Sequence, residues 1–428
     1  MHFISTRAEA GAPALSFSGA IRTGLAPDRG LYVPASDLPK LKAESFNPNW
    51  TLAETAAAVL SPLLKGDALA PDLAAICREA ITFPAPLRQI TKNTWLLELF
   101  HGPTAAFKDF GARFLARCLA RDSASHEHPP RILVATSGDT GGAVAGAFSS
   151  QPNARVTILY PEGRVSPRQE HQLGCWGGNV DAIAVRGTFD DCQALVKEAF
   201  LDQGLCSKYR LTSANSINLG RLLPQISYYA HASAEFERKT GQRAHFSIPT
   251  GNLGNAVAAI YAREMGMPIG KILFACNANR GLVDHLSDGS NSRETTPTLA
   301  NAMDVGRPSN LERLLHLYPD PWSPRNGLRE ISISDQDIRE TITRVHGDVG
   351  VTLCPHTAVG WKAREAEGAV EPWIVVATAH PAKFETVVEP LIGERIPLPE
   401  SLASILDRET SHSVIDPDLG QLALHFRA

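Results

Sequence analysis

The chain is predicted to be an α/β protein with mainly parallel sheets and helices packed on both faces. Two observations carry this expectation. From about Arg131 onward, apolar runs of strand length alternate with segments of helical length, the pattern of repeated strand–turn–helix units. The polar and glycine-rich clusters also fall just after the apolar runs, where an open parallel sheet places its ligands. With 428 residues, 43% of them hydrophobic, the chain can bury a large core or two to three lobes.

The elements follow in order. The first hundred residues are rich in proline and alanine. Within them Leu31 to Leu38 is a short apolar run with turns, and Thr51 to Leu64 reads as a helix. A helix is predicted from Ala105 to Arg121, a stretch without proline and with few β-branched residues. Arg131 to Thr136 is a strand, followed by a glycine-rich turn and a small-residue helix from Gly142 to Phe148. Val156 to Tyr160 and Val180 to Val185 are the next strands, with helices at Pro167 to Leu173 and Thr188 to Leu201. His245 to Ile248 is a strand leading to a helix from Asn255 to Met265, and Ile272 to Cys276 and Trp373 to Ala377 are further buried strands. The polar segment Ser287 to Ser292 reads as a surface loop, and no internal repeat is present.

Composition narrows the function. A net charge of −4 argues against nucleic acid and against a polybasic membrane anchor. Seven scattered cysteines without a CxxC pair argue against a disulfide framework or structural zinc and favour a reducing compartment. The 14 histidines form no metal-binding pattern. Without an apolar signal core or a run of membrane-spanning length, a cytoplasmic protein is expected.

The candidate chemistry starts at Lys108. On the predicted helix, Arg113, Arg117 and Arg121 stack on one face, and Lys108 lies roughly 140° from the start of that row at about 100° per residue. Its own stripe is Gly111, Ala112, Leu115 and Leu119. A lysine there either snorkels to solvent or is held inside for chemistry, where desolvation frees its amine as a nucleophile. At other strand ends lie two glycine-containing turns that open helices. Gly251-Asn252-Leu253-Gly254-Asn255 has no acidic residue and is the better phosphate cradle. The turn Ser137 to Gly142 contains Asp139, which would repel a dianion, so it suits a carboxylate held by the Ser137 and Thr140 hydroxyls. Both are also consistent with ordinary strand–helix turns. Neither is a GxGxxG dinucleotide motif or a P-loop. A lysine, a phosphate cradle and an isolated hydroxyl at a strand end together suit pyridoxal 5′-phosphate, with the lysine as Schiff-base partner.

Longer motifs then carry a resemblance. Phe100-His101-Gly102-Pro103-Thr104, followed by Ala106-Phe107-Lys108-Asp109-Phe110-Gly111, resembles the cofactor-lysine motif of the threonine synthase family. Thr136-Ser137-Gly138-Asp139-Thr140-Gly141 resembles its substrate loop. Asn301 to Gly306 with Pro308-Ser309-Asn310, Pro355 to Gly360, Thr378 to Phe384 and Gly30 to Pro34 are similar to the family as well, in its longer bacterial and fungal type. The resemblance implies a fold-type-II pyridoxal phosphate enzyme with two α/β lobes and an N-terminal region. The expected division is an N-terminal domain at 1–95, a large cofactor domain at 96–128 and 225–428, and a small α/β domain at 129–224.

It further implies that Lys108 carries the cofactor, that Gly251, Asn252, Leu253, Gly254 and Asn255 hold its phosphate, and that Thr378 faces the pyridine nitrogen. Asp139 falls near the cofactor's ring oxygen. Thr136, Ser137, Gly138 and Thr140 are expected to bind substrate. The implied reaction converts O-phospho-L-homoserine and water into L-threonine and phosphate, with Lys108 as proton shuttle. The alternative is a phospholyase that releases 2-oxobutyrate, ammonia and phosphate. A second anion site for the substrate's phosphate is expected from Asn215, Ser216, Asn218 and Arg221, on a helix beginning near Ile217, together with Lys383. His356 and His380 read as structural hydrogen-bonding residues, and Asp304 and Glu312 as loop organisers. Ala105 and Arg307 depart from the family pattern and are expected to retune the substrate pocket.

Overall fold

Side chains of a strand alternate between its two faces, and in this chain the alternation divides the core. Ile374 and Val376 join one hydrophobic cluster while Trp373, Val375 and Ala377, on the same strand, join another. Ile132 and Val134 likewise oppose Leu133 and Ala135. The computed structural model describes residues 1–9, 11–123, 130–149, 151, 153–280, 295–368 and 370–426. Among these are thirteen strands: β1 (Phe3–Ser5), β2 (Tyr32–Pro34), β3 (Leu87–Thr91), β4 (Thr94–Glu98), β5 (Arg131–Ala135), β6 (Arg155–Pro161), β7 (Val180–Val185), β8 (Leu211–Ser213), β9 (Ala244–Pro249), β10 (Ile269–Cys276), β11 (Leu328–Ser332), β12 (Trp373–Ala377) and β13 (Ser413–Ile415).

Two sheets organise the molecule. The six-stranded sheet has the order β11-β10-β9-β12-β4-β3 and the five-stranded sheet the order β13-β7-β6-β5-β8. Every pairing in them is parallel except the antiparallel hairpin β3–β4. β1 and β2 form a small antiparallel pair of their own. Both large sheets turn one face to a shared core, where Phe246, Ile272 and Ile374 join Ile132, Val156 and Ile158. The opposite face of the six-stranded sheet packs on the helices Asp335–Val349 and Pro355–Ala366, and that of the five-stranded sheet on the helix Phe189–Leu201. Helices therefore cover both faces, as the alternating sequence pattern predicts.

Several boundaries differ from the sequence reading. The helix expected from Ala105 starts at Lys108, because Ala105 sits at φ +54° in a turn. The helix expected from Gly142 begins at Asp139, so the glycine-rich turn is shorter than read. The helix after Thr51 spans Leu52–Leu60 behind a capping box from Thr51 and Glu54. The segment Ser287 to Ser292 lies outside the described residues. No helix among the described residues is long and apolar enough to cross a membrane.

Candidate active site

After β4 the chain runs beside the outgoing end of β12. The Leu99 N–H donates to Ala377 O at 2.9 Å, Phe107 N–H to Thr378 O at 2.8 Å and His380 N–H to Ala105 O at 3.0 Å. The left-handed turn at Ala105, a conformation costly for a residue with a Cβ, redirects the chain into the helix Lys108–Ser123. Asp109 locks that turn, accepting the Thr104 N–H at 2.9 Å and hydroxyl at 2.7 Å. A Cβ on Gly102 would come within 2.4 Å of the Asp109 carboxylate, so this position has no room for a side chain. Lys108 is thereby set at the first turn of a buried helix. The other members of its stripe, Gly111, Ala112, Leu115 and Leu119, are all buried. Burial lowers the amine to about 8; Asp139 opposes the shift, while Arg221 and Lys383 add to it. The arginine row, in contrast, meets the helix Leu73–Ala80 through Ala80 O and the Glu79 carboxylate.

Lys108 lines a cleft of about 920 Å³, its open mouth included. The cleft gathers the ends of strands from both sheets: Thr136, Ser137, Asp139 and Thr140 after β5, Pro249 to Asn255 after β9, and Thr378 after β12. The turn after β9 has the makings of an anion cradle. Thr250 N–H is tied to Ala275 O at 2.9 Å, and Val257 N–H makes a helical bond to Leu253 O at 2.9 Å. Between them, no N–H from Gly251 to Ala256 finds a protein acceptor among the described residues. Leu253 is left-handed at φ +61°, and a Cβ on Gly251 would lie 2.8 Å from the Met303 backbone. Asn255 is pinned by the Tyr228 and Tyr229 hydroxyls, which donate to its Oδ1 at 2.6 and 2.8 Å. Its buried Nδ2 is left without a partner.

The remaining expected site residues divide. Arg221 lines the cleft; burial lowers its guanidinium to about 10, still cationic at neutral pH, and its Nε has no partner. Asn215 and Ser216 line the cleft beside it, with Ser216 accepting from Asn252 Nδ2 at 2.6 Å. Asn218 does not face the cleft. It is the N-cap of the short helix Leu219–Leu222, accepting from Gly220 N–H at 2.9 Å and donating to Ile21 O and Ser213 O. The helix starts two residues later than expected, which separates Asn218 from Arg221. Lys383 also lies away from the cleft lining. Its fully buried ammonium bonds to Asp139 at 2.9 Å and Thr104 O at 2.8 Å, so it is not available to a substrate's phosphate. Thr136 accepts the N–H groups of Gly138 and Gly141 at 3.0 and 2.8 Å and so shapes its loop, while Gly138 packs against Gln169 at φ +127°. Ala105 and Arg307 are outside the cleft lining as well, one buried in its turn and the other exposed.

His356 is the functional candidate that sequence reasoning placed in a structural role. It lines the cleft with its Nε2 accepting the Ala302 N–H at 3.1 Å, which leaves the hydrogen on a buried, unpartnered Nδ1. Burial lowers it to about 4, so it is a neutral donor. Phe189 and Gln193 of the opposite lobe, Gln225, and the turn Ala302, Met303 and Val305 also line it. Only the last had a signal in sequence, through the Asn301 to Gly306 motif. His380 caps the turn Pro381–Phe384 as expected, Asp304 gathers Thr298, Asn277 and Asn279, and Glu312 binds Thr6 and Arg7.

Comparison with known proteins follows this geometry. Residues 2–81 match the threonine synthase N terminus, residues 81–380 the pyridoxal-phosphate dependent enzymes and residues 357–424 the threonine synthase C-terminal region. The threonine synthase of Haemophilus influenzae is 39% identical over 95% of this chain and 96% of its own length. The chain belongs to the threonine synthase family. The crystal structure of threonine synthase from Escherichia coli superposes with a TM-score of 0.93 at 36% identity, covering 100% of this chain and 99% of that one. Pyridoxal-phosphate-bound threonine synthase from Brucella melitensis gives 0.90, again at 36% identity and with the same coverage. The protein is thus a pyridoxal-phosphate-dependent lyase of fold type II, and its residues fit that cofactor. The unpartnered N–H groups of Gly251–Ala256 and the Asn255 amide suit a phosphate, and the lowered Lys108 amine suits an aldehyde.

An amine attacks an aldehyde only when unprotonated. Capture of pyridoxal phosphate by the chain stripped of it, followed by visible absorption, is therefore expected to rise with pH through a midpoint near 8. An ordinary exposed lysine would place that midpoint about two units higher.

Proposed function

We propose that the protein converts O-phospho-L-homoserine and water into L-threonine and phosphate, with no nucleic-acid partner. The observation that carries this reading is the meeting in one cleft of Lys108, the unpartnered cradle Gly251–Ala256, Thr378 and Arg221. Gly251, Asn252, Leu253, Gly254 and Asn255 would hold the cofactor's phosphate, and the Thr378 hydroxyl would meet its ring nitrogen. Once bound, pyridoxal phosphate supplies a conjugated system that spreads the charge left on substrate carbons as protons depart.

The chain's own groups do the rest. The Ser137 and Thr140 hydroxyls, with the free N–H groups of Ser137, Asp139 and Thr140, hold the substrate's carboxylate. Arg221, with Asn215 and Ser216, holds its phosphate, which supplies the cation that a dianionic leaving group needs. Lys108 Nζ takes the α-proton and then moves protons between the neighbouring carbons, a task suited to an amine whose burial brings its proton affinity near working pH. His356 offers an Nδ1–H donor to the same space. The division proposed is 1–95, 96–128 with 225–428, and 129–224. The two large sheets depart from it at β3, which lies within 1–95 but joins the six-stranded sheet, at β4, which straddles residue 95, and at β13, which joins the smaller lobe's sheet from the C-terminal region. Seven cysteines without disulfides support a cytoplasmic setting.

Purified protein given O-phosphohomoserine is expected to release phosphate and threonine in equal amounts, and Lys108→Ala to release neither. Retained turnover in Lys108→Ala would remove that lysine from the reaction, and 2-oxobutyrate as main product would make the enzyme a phospholyase. A neutral hydroxyl at the ring nitrogen leaves that nitrogen largely unprotonated and so moderates the electron sink. Thr378→Asp is expected to raise 2-oxobutyrate relative to threonine; an unchanged ratio contradicts this role for Thr378.

A further inference from the structure

Among the described residues, the ion pair between Asp139 and Lys383 is the sealed charge pair beside the cleft. Both side chains are buried, at 5% and 0% exposure, with 2.9 Å between Lys383 Nζ and Asp139 Oδ1. Lys383 Nζ also donates to Thr104 O at 2.8 Å, and Asp139 Oδ1 accepts from Gln169 Nε2 at 3.0 Å. The lysine's backbone is held independently: Ser166 Oγ donates to Lys383 O at 3.0 Å, and His380 caps the turn that carries it. Asp139 lines the cleft and Lys383 does not, so the ammonium meets the carboxylate from the protein side. Burying two charges is costly and rarely the best route to stability. The arrangement therefore calls for a role in the cleft.

The groups that act on the Lys108 amine supply it. They are Asp139, which favours its protonated form, and Arg221 and Lys383, which disfavour it, with neutral His356 facing the same space. Without Lys383, the Asp139 carboxylate would favour the protonated Lys108 amine with no ammonium of its own to offset it. A carboxylate within about 4–6 Å moves such an amine by about one to three pH units. Among the described residues, Asp139 is also the one acidic residue lining a cleft that must accept phosphate groups.

We propose that Lys383 is a positioning residue for the reacting amine: it neutralises Asp139 from the protein side and so keeps that carboxylate from retaining the proton on Lys108. Asp139 itself stays ionised. Burial alone would raise its carboxyl, but the ammonium groups of Lys383 and Lys108 outweigh burial and hold it below the usual carboxylate range. This inference rests on the reading of Lys108 as the reacting amine.

The test uses three variants of the holoenzyme, Lys383→Met, Asp139→Asn and the double variant, and two readouts. These are the pH midpoint of the cofactor's visible absorption and the acidic limb of kcat/KM. Lys383→Met leaves the carboxylate facing the amine, so both midpoints are expected to move up by about one unit, a tenfold gain in proton affinity. Asp139→Asn leaves an extra cation, so both are expected to move down. The double variant is expected to lie near the wild type. A purely structural ion pair would lower stability and activity without moving either midpoint, and that result overturns the proposal, as do single variants that shift in the same direction. Should Lys383→Met fail to fold, the downward shift in Asp139→Asn and its reversal in the double variant decide alone. Essential Lys108 with unmoved midpoints refutes this inference only, whereas turnover in Lys108→Ala refutes the reading beneath it.

Discussion

The active site depends on the way two chain segments continue side by side after their strands have ended. β4 and β12 are parallel neighbours, and their outgoing backbones stay bonded through Leu99 to Ala377, Phe107 to Thr378 and His380 to Ala105. The bond from Phe107 N–H to Thr378 O joins the residue before Lys108 to the residue expected at the cofactor's ring nitrogen. That bond holds the two backbones side by side, so the Lys108 and Thr378 side chains start from neighbouring positions at the cleft. Ala105 takes a left-handed conformation to make this possible, and Asp109 fastens the turn from within. Strain of that kind persists only where the surrounding structure over-determines it.

Electrostatics around this frame follow from the same topology. Parallel sheets bring helix N-termini to one edge, and here the free N–H groups after β9 and after β5 converge on one cleft. Among the described residues, Lys108, Arg221 and Lys383 add three cations near it, against the single lining carboxylate of Asp139. The excess suits a substrate and a cofactor that both carry phosphate. Arg313 extends the pattern one layer out. Fully buried, it donates to Tyr32 O, Ser216 O and Ile217 O and so holds the substrate-side loop to the N-terminal region.

Periodicity made most of the fold legible. Val180–Val185 and Trp373–Ala377 are strands over the predicted residues because their apolar runs are short and bounded by turns. The stripe of Lys108 was correct although the helix start was wrong, since helical spacing counted from Lys108 is unaffected by where the helix begins. The hairpin β3–β4 escaped because Arg88 and Gln89 face solvent at the sheet edge and blur the apolar pattern. Asn218 carried a readable signal, an asparagine just before a helix, which is the common form of an N-cap. Lys383 did not. A lysine at a strand end reads as an anion site until its partner is known, and Asp139 is brought to it only by the docking of one sheet's helix on the other's loop. The same applies to His356, whose free Nδ1 exists because the distant Ala302 N–H occupies its other nitrogen.

The central claim is that this frame delivers one lysine, and no other, to the cofactor. Borohydride reduction of the holoenzyme, followed by proteolysis and mass spectrometry, measures it directly. The account predicts a pyridoxyl group on Lys108 alone, with Lys383 unmodified in its ion pair. A pyridoxyl group on Lys383, or on any lysine outside the turn after β4, would contradict it.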